Sequence, residues 1–193
     1  ERTMGNRSRL SFLAVISAAA IFVGVGLGWF WSQRSVDMAL TGAVRMDPAA
    51  PASQKRQVHL YFADSSGKYL SAEQRIVEQP ADIASAARDL VEALIHGPMQ
   101  EGTRTLPRDA GLRALFVTSD GVAYVDFKAD ALDSHPGGVE AELLSIFSIV
   151  DTLVLNLEEI RQVKFLIGGQ EAATLAGHVD IHRPFNADML WIR

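Results

Sequence analysis

The 193-residue sequence predicts an α+β domain, in which two helices pack on a small mixed or antiparallel sheet, preceded by one transmembrane helix. Extended and helical patterns follow in the order strand, strand, helix, strand, strand, helix, strand. Turn residues follow the first strand in each of two strand pairs, which indicates hairpins. An uncharged apolar run near the N-terminus supplies the membrane helix. A doubly wound α/β domain is the alternative, and it is disfavoured because hairpins cannot join parallel strands.

The apolar run covers residues 10–31 and contains no charged residue. As a helix it would be about 33 Å long, which is enough to cross the hydrocarbon core of a bilayer. Arg2, Arg7 and Arg9 precede it, and positive charge favours the cytoplasmic side. We therefore expect a single-pass protein of the inner (cytoplasmic) membrane, with residues 1–9 in the cytoplasm and the C-terminal domain periplasmic or extracytoplasmic.

A cleaved signal peptide would also explain this run, since the alanines at 18–20 resemble a cleavage site. Cleavage there would leave residues 21–31, which are still apolar, at the new N-terminus, so an uncleaved anchor is favoured. Within the anchor, Ala20, Gly24 and Gly28 recur every four residues. Such small-residue stripes are typical of membrane helices that self-associate. A lone helix surrounded by lipid is the alternative.

Residues 32–57 lack periodicity and contain Pro48 and Pro51 among Ala and Ser, which predicts a flexible linker. Residues 58–193 are then expected to form one folded extracytoplasmic domain.

Each element of that domain has its own signal. Period-two apolar runs predict strands, and apolar residues at three- and four-residue spacing predict helices. Gly97 and the proline after it end the first helix. Asp120 and Gly121 mark the second hairpin turn, and a two-residue turn there places Phe116 opposite Val125. The predicted strands are residues 58–63, 75–78, 112–118, 122–127 and 163–167, and the predicted helices are residues 82–96 and 139–157.

Composition excludes several classes of function. The chain has no cysteine, which excludes thiol nucleophiles, disulfides and Cys-ligated metal sites. Its net charge of −5 argues against nucleic-acid binding. No phosphate-binding Gly-Lys loop, nucleophile elbow or dinucleotide fingerprint occurs. We therefore expect no cofactor and no catalytic residues.

The sequence offers one weak metal-site candidate, formed by His178, Asp180 and His182. Their H-x-D-x-H spacing would place three ligands on one side of an extended strand. A structural role is favoured, in which Gly177 forms a turn, Asp180 accepts backbone N–H groups and Pro184 ends the segment. No metal is therefore predicted.

An ordered series of sequence blocks spans residues 58–184. The blocks are VHLYFAD, LVEALIHGP, LPRDAGLRALFVTSDGVAYVDF, IVDTL, VKFLIGG and GHVDIHRP. In this order they resemble the GerMN domain family, which is named for a sporulation and spore germination protein. The resemblance implies a single extracytoplasmic domain in a membrane-anchored envelope protein, with a fold similar to ring-building motifs and without enzymatic activity. It also implies structural roles for Gly97, Pro98, Asp120, Gly121, Thr152, Gly168, Gly177 and Asp180.

Three functions remain open. The expected one is a noncatalytic scaffold of the cell envelope that packs through a sheet edge or helix face on itself or on other envelope proteins, with residues 10–31 in the lipid bilayer. The second is a binding module for a cell-wall polymer, for which the candidate aromatic residues are Tyr61, Tyr69, Tyr124 and Phe185. The third is a metal-assisted hydrolase that uses His178, Asp180 and His182.

Overall fold

The computed structural model describes residues 54–193. The predicted cytoplasmic tail, the transmembrane helix with Ala20, Gly24 and Gly28, and the linker up to residue 53 lie outside the described residues. Within residues 54–193, no helix is both long enough and apolar enough to cross a membrane.

The secondary structure of this part follows the predicted order. The elements are β1 (Lys55–Ala63), β2 (Leu70–Glu78), α1 (Ile83–His96), β3 (Leu112–Val117), β4 (Val122–Phe127), α2 (Val139–Asn156), β5 (Gln162–Ile167) and a 3-10 turn (Met189–Trp191). Helix α1 begins where Asp82 accepts the N–H of Ser85 at 2.8 Å, as an N-cap should. Strand β1 begins earlier than predicted, because Lys55 already pairs with Glu78. Residues 55–57 therefore belong to the strand and not to the linker.

The strands form two sheets, which corrects the expectation of one. Strands β1 and β2 form an antiparallel pair. In the second sheet β3 pairs with β4 antiparallel and β4 pairs with β5 parallel. The parallel pair is reached through α2, since parallel neighbours need a long crossover. The fold class is α+β as predicted, but the sheet is divided.

The β3–β4 hairpin differs by one residue from the predicted register. Phe116 lies opposite Tyr124 rather than Val125. The loop has three residues, because the Thr118 N–H donates to the Val122 carbonyl at 3.0 Å. Gly121 closes this loop with a φ of 86°, a conformation that favours glycine. The third loop residue shifts the pairs of residues 114–117 by one, and an irregularity between Leu112 and Ala114 shifts the Leu112 pair by one more.

Helix α2 lies at the centre of the core, and its middle, residues 144–153, is buried on all sides. It packs against β1, β5 and α1. A helix covered on every side carries apolar residues around its whole circumference, whereas one that faces solvent has a polar face. The fully buried apolar residues of α2 are Ile146, Ile149, Val150 and Leu153.

Polar side chains of α2 cover the outer edge of β1. Asn156 donates to the His59 carbonyl at 2.7 Å and accepts the His59 N–H at 2.9 Å. Thr152 accepts the Tyr61 N–H at 3.2 Å, and Ser148 donates to the Tyr61 carbonyl at 2.6 Å. These three side chains are spaced four residues apart and so share one helix face. They satisfy backbone groups that would otherwise pair with another strand, which separates the two sheets.

Strand β2 forms the opposite edge of the same hairpin. In the described part of the chain its strand partner is β1, with one further contact at Leu70. Ile76 projects from this strand with 73% of its surface exposed. Within residues 54–193, the hairpin therefore has one covered edge and one edge without a further strand.

Replacing Asn156 by Ala is expected to lower the free energy of unfolding by about 1–3 kcal/mol, because both backbone groups of His59 lose their partner. Urea unfolding followed by circular dichroism measures this change. Glu158→Ala, an exposed change two residues further on, is the control and should stay within about 0.5 kcal/mol of the wild type. Equal losses in both variants would contradict the role of Asn156.

Candidate functional site

A cleft lies where the N-terminal end of α2, the β1–β2 turn and the C-terminal residues meet, and we name it the α2 cleft. It consists of two depressions of about 420 Å³ and about 390 Å³ that share Glu140. The larger is lined by residues that include Leu106, Leu144, Arg104, Arg108 and His135, and the smaller by Lys68, Tyr69, Asp188, Leu190 and Trp191. Concave surfaces with apolar residues and a few polar groups are typical of binding sites.

Arg104, which lines the larger depression, closes the C-terminus of α1. Its guanidinium donates to the carbonyl of Ile95 at 2.7 Å and to the carbonyl of His96. Gly97 donates its N–H to Ala93 and Leu94 and has a φ of 89°. A cation at the last carbonyls of a helix is stabilising. Two N–H donors of the Arg104 guanidinium are therefore bonded to α1, and this holds the side chain in place in the wall of the cleft.

His135, which lines the larger depression, contacts the buried Ser145, but the two do not form a nucleophile pair. The Nδ1 atom of His135 accepts the Gly137 N–H at 3.0 Å, so its Nε2 atom donates to Ser145 Oγ at 2.9 Å. Burial lowers the pKa of His135, which favours the neutral ring. The Ser145 hydroxyl is buried and donates to the Thr105 carbonyl. A base cannot take up a proton that is committed to a carbonyl, so this contact is structural.

Glu142 is a fully buried carboxylate that holds a loop. It accepts the backbone N–H groups of Leu175, Ala176 and His178 at 2.9, 2.8 and 2.8 Å. Burial acts to raise the pKa of Glu142, but these N–H donors outweigh it and hold the pKa below its usual value. The ionised carboxylate is thus part of the fold.

Other buried acidic side chains also hold later segments of the chain through backbone N–H groups. Glu73 accepts the N–H groups of Met99 and Gln100, both at 2.9 Å, and forms an ion pair with Arg75. Asp126 accepts the Gly169 N–H at 2.9 Å and pairs with Arg113. Asp151 accepts the Asp188 N–H at 3.0 Å. Each joins a secondary-structure element to a loop or terminal segment that comes later in the chain.

The three metal-site candidates do not converge. The Nδ1 atom of His178 accepts the Gly138 N–H at 3.3 Å and lies 3.4 Å from Glu142. His182 lies 2.7 Å from Asp180. The backbone N–H and the ring of His182 lower the pKa of Asp180. Among residues 54–193, no three His, Cys, Asp or Glu side chains are placed to hold a metal ion. The segment bends instead of forming a strand, so the ligands do not share one side.

The residues to which the resemblance assigns structural roles lie at turns, caps and edge contacts. Gly97 caps α1, and Thr152 binds the β1 edge. Gly168 donates its N–H to Phe127 at 2.7 Å after β5. Gly177 and Asp180 form local bonds to Thr174 and His182. The remaining members of the set are Pro98, which follows the α1 cap, and Asp120 and Gly121 in the β3–β4 loop.

The four candidate aromatic residues do not line one groove. Tyr61 is buried, and Phe185 packs edge-on against Phe147 and Phe165 in the core. Tyr124 stacks on Phe116, with ring centres 4.8 Å apart. Of the four, only Tyr69 lines the α2 cleft. Trp191 is the other aromatic residue that lines the smaller depression.

The roles of Glu142 and Glu73 were not among the predictions from the sequence. Glu142 lies four residues before Ile146 and seven before Ile149, so its helical position indicates the buried face. Glu73 carries no comparable signal, because its burial depends on the loop at Met99. The sequence also contains no pattern that predicts the α2 cleft, because its lining residues are far apart in the chain.

These contacts define an α+β domain built from two sheets around a central helix, with a cleft at the start of that helix. The family model Germane, described as sporulation and spore germination, matches residues 59–173. This match covers more than half of the chain, and the chain belongs to this family. The resemblance to GerMN domains found in the sequence is thereby confirmed.

Two solved structures of GerMN domains share the fold. The tandem GerMN domains of the sporulation protein GerM from Bacillus subtilis are 22% identical, with a TM-score of 0.57 over 69% of this chain and 46% of that chain. The first GerMN domain of the same protein is 23% identical, with a TM-score of 0.53 over 68% of this chain and 97% of that chain. A candidate lipoprotein from Clostridium perfringens is 24% identical, with a TM-score of 0.49 over 68% and 87%. No curated protein matches the chain.

Proposed function

We propose that this chain is a membrane-anchored, extracytoplasmic interaction module of the bacterial cell envelope, which supports the assembly of an envelope, sporulation or germination complex. The family match over residues 59–173 supports the process. The apolar run at residues 10–31 and the arginines before it support the anchor and its orientation.

The use of the buried carboxylates carries the noncatalytic part of the proposal. Glu73, Asp126 and Glu142 each accept loop N–H groups. A general acid or base must instead reach a substrate proton. The surfaces of the domain, above all the α2 cleft, are therefore the features that can carry the function. A surface cleft of this kind suits binding rather than catalysis.

Photocrosslinking in intact cells that express the full chain tests the proposal. A photoreactive residue at Arg108, which is exposed beside the cleft, should capture extracytoplasmic envelope proteins or a second copy. The matched control carries the photoreactive residue in place of Asp130, which is exposed and outside the cleft lining. The proposal fails if both positions give the same products, or if a reporter fused after Arg193 is active only in the cytoplasm.

A cell-wall polymer is the second candidate ligand, and one observation favours it. Tyr69 and Trp191 line the smaller depression together with Lys68, Glu140 and Asp188. Aromatic faces beside charged groups suit a polar, ring-containing ligand. Sedimentation with purified cell wall should then retain the wild-type chain and lose the double variant Lys68→Ala/Glu140→Ala. Equal sedimentation of both would exclude this ligand from the cleft.

A further inference from the structure

The last nine residues, 185–193, lie across α2 and the β1–β2 hairpin, and we name them the C-terminal strap. Phe185 exchanges two backbone hydrogen bonds with Val163, at 2.8 and 2.9 Å. The Arg193 N–H donates to the Leu70 carbonyl at 2.9 Å. Between these ends, Trp191 stacks on Phe147 of α2 with ring centres 5.4 Å apart. The strap is thus tied to three separate elements.

Asp151 lies in α2 at the middle of the strap's path. Its side chain is fully buried, and its Oδ1 atom accepts the Asp188 N–H at 3.0 Å. Its Oδ2 atom is the one buried side-chain oxygen or nitrogen among residues 54–193 that has no hydrogen-bond partner. A buried carboxylate oxygen without a partner is costly when charged. The geometry therefore favours the protonated carboxyl.

The titratable groups around Asp151 do not offset this cost. The phenol of Tyr61 faces Asp151 from β1, and the carboxylate of Asp188 faces it from the strap. Lys68 and Glu140 lie around Asp188 in the smaller depression, and the Arg193 guanidinium lies over Tyr69 at 3.5 Å. None of the ion pairs of the described residues includes Asp151.

Protonation and docking of the strap are coupled. Burial raises the pKa of Asp151 to about 7, the Asp188 N–H opposes this rise, and the Asp188 carboxylate adds to it. An exposed Asp titrates near pH 3.9, so the docked strap binds the proton more tightly than the undocked one. Docking is therefore most favourable below about pH 4, weakens as the pH rises to about 7, and changes little above that.

We propose that Asp151 and the C-terminal strap form a pH-sensitive clasp, in which the strap docks while the Asp151 carboxyl is protonated and loosens when it ionises. The smaller depression of the α2 cleft is built partly from strap residues Asp188, Leu190 and Trp191. Loosening the strap would therefore remove one side of the cleft, so the cleft would be complete in acidic surroundings. The clasp is inferred from contacts within the domain, so this proposal does not depend on the proposed envelope role.

Hydrogen exchange of the full chain in detergent micelles, read by mass spectrometry on peptides that cover residues 186–193, tests the clasp. After correction for the intrinsic exchange rate, protection of the strap amides should fall at least about tenfold between about pH 5 and about pH 7.5. Asp151→Asn keeps an oxygen acceptor for Asp188 and cannot ionise. In this variant protection should change less than about twofold over the same range.

Two further variants complete the test. Asp130→Asn removes an exposed loop carboxylate and should behave as the wild type. Asp188→Asn removes the like charge but keeps an oxygen to cap the 3-10 turn, so it should move the wild-type midpoint to lower pH. Constant protection in the wild type, the same fall in Asp151→Asn, or an unmoved midpoint in Asp188→Asn would each overturn the clasp.

Discussion

Replacing Glu142 by Ala is expected to lower the free energy of unfolding by about 3–5 kcal/mol. Three backbone N–H groups at Leu175, Ala176 and His178 would lose a charged acceptor that is itself fully buried. Urea unfolding at about pH 7 measures the loss, and hydrogen exchange of residues 174–178 should show that the loop loses protection.

The matched control is Glu140→Ala, in the same first turn of α2. Both residues interact with the helix N-terminus, so both variants lose that contribution, of about 0.3–1 kcal/mol. Glu140 is exposed and accepts no loop N–H group in the described contacts. The difference between the two variants therefore isolates the loop contacts, and a difference below about 1 kcal/mol would contradict the role of Glu142.

The pH dependence of the free energy of unfolding is a second test of the Glu142 contacts. Because the folded-state pKa of Glu142 is lowered, its contribution is fully present above its unfolded pKa of about 4.3 and is lost as the pH falls through the folded value. Glu142→Gln cannot ionise, so the gap in stability between it and the wild type should narrow on acidification. A gap that stays constant down to about pH 2 would show that the charge is not involved.

Replacing Gly97 by Ala is expected to cost about 3–5 kcal/mol. A φ of 89° with a ψ of 179° is a conformation reached almost only by glycine. A Cβ there would also lie 2.5 Å from Cζ of Arg104. The guanidinium would have to move, and the carbonyls of Ile95 and His96 would lose their partner. Thermal and urea unfolding measure the cost.

Two further variants separate backbone strain from the loss of the Arg104 contact. Gly138 has a φ of 88° and a ψ of 145°, with nothing within 4 Å of an added Cβ. Gly138→Ala should therefore show strain alone, about 1–3 kcal/mol. In the background of Arg104→Ala, the change Gly97→Ala should cost no more than Gly138→Ala does. Full additivity of Gly97→Ala and Arg104→Ala would contradict this account.

The order and type of the elements could be predicted because their signals are local. Asp82 before α1 and Gly97 after it are cap residues that act within one helical turn. The hairpin register was missed because Asp120-Gly121 fits both a two-residue and a three-residue loop. Only the hydrogen bond from Thr118 to Val122 distinguishes them.

The division into two sheets could not be predicted, because it depends on contacts between residues far apart in the chain. Ser148, Thr152 and Asn156 read in the sequence as polar interruptions of an apolar helix. In the structure they replace a neighbouring strand for β1, more than 80 residues earlier. Local periodicity contains no information about which strand edge a helix will cover.

The candidate site was the least predictable part. The H-x-D-x-H pattern was the most visible motif, yet His178 is separated from the other two by a bend. The buried acids are recognisable only with their loops, since a carboxylate that accepts N–H groups has no fixed partner residue type. Asp151 is recognisable as a buried acid only with residues 185–193 in place, because the Asp188 N–H donates to it.

The unlike margins of the β1–β2 hairpin limit how copies of this domain can join through it. Side chains of α2 and the backbone of Thr103 fill the β1 margin from His59 to Ala63, and the β2 margin between Ser71 and Val77 has no further strand among residues 54–193. A second molecule can therefore add a strand only at the β2 margin of this hairpin. Once it has done so, the hairpin has no further margin to offer. Molecules that meet there would form a closed two-fold dimer and not an open-ended fibre.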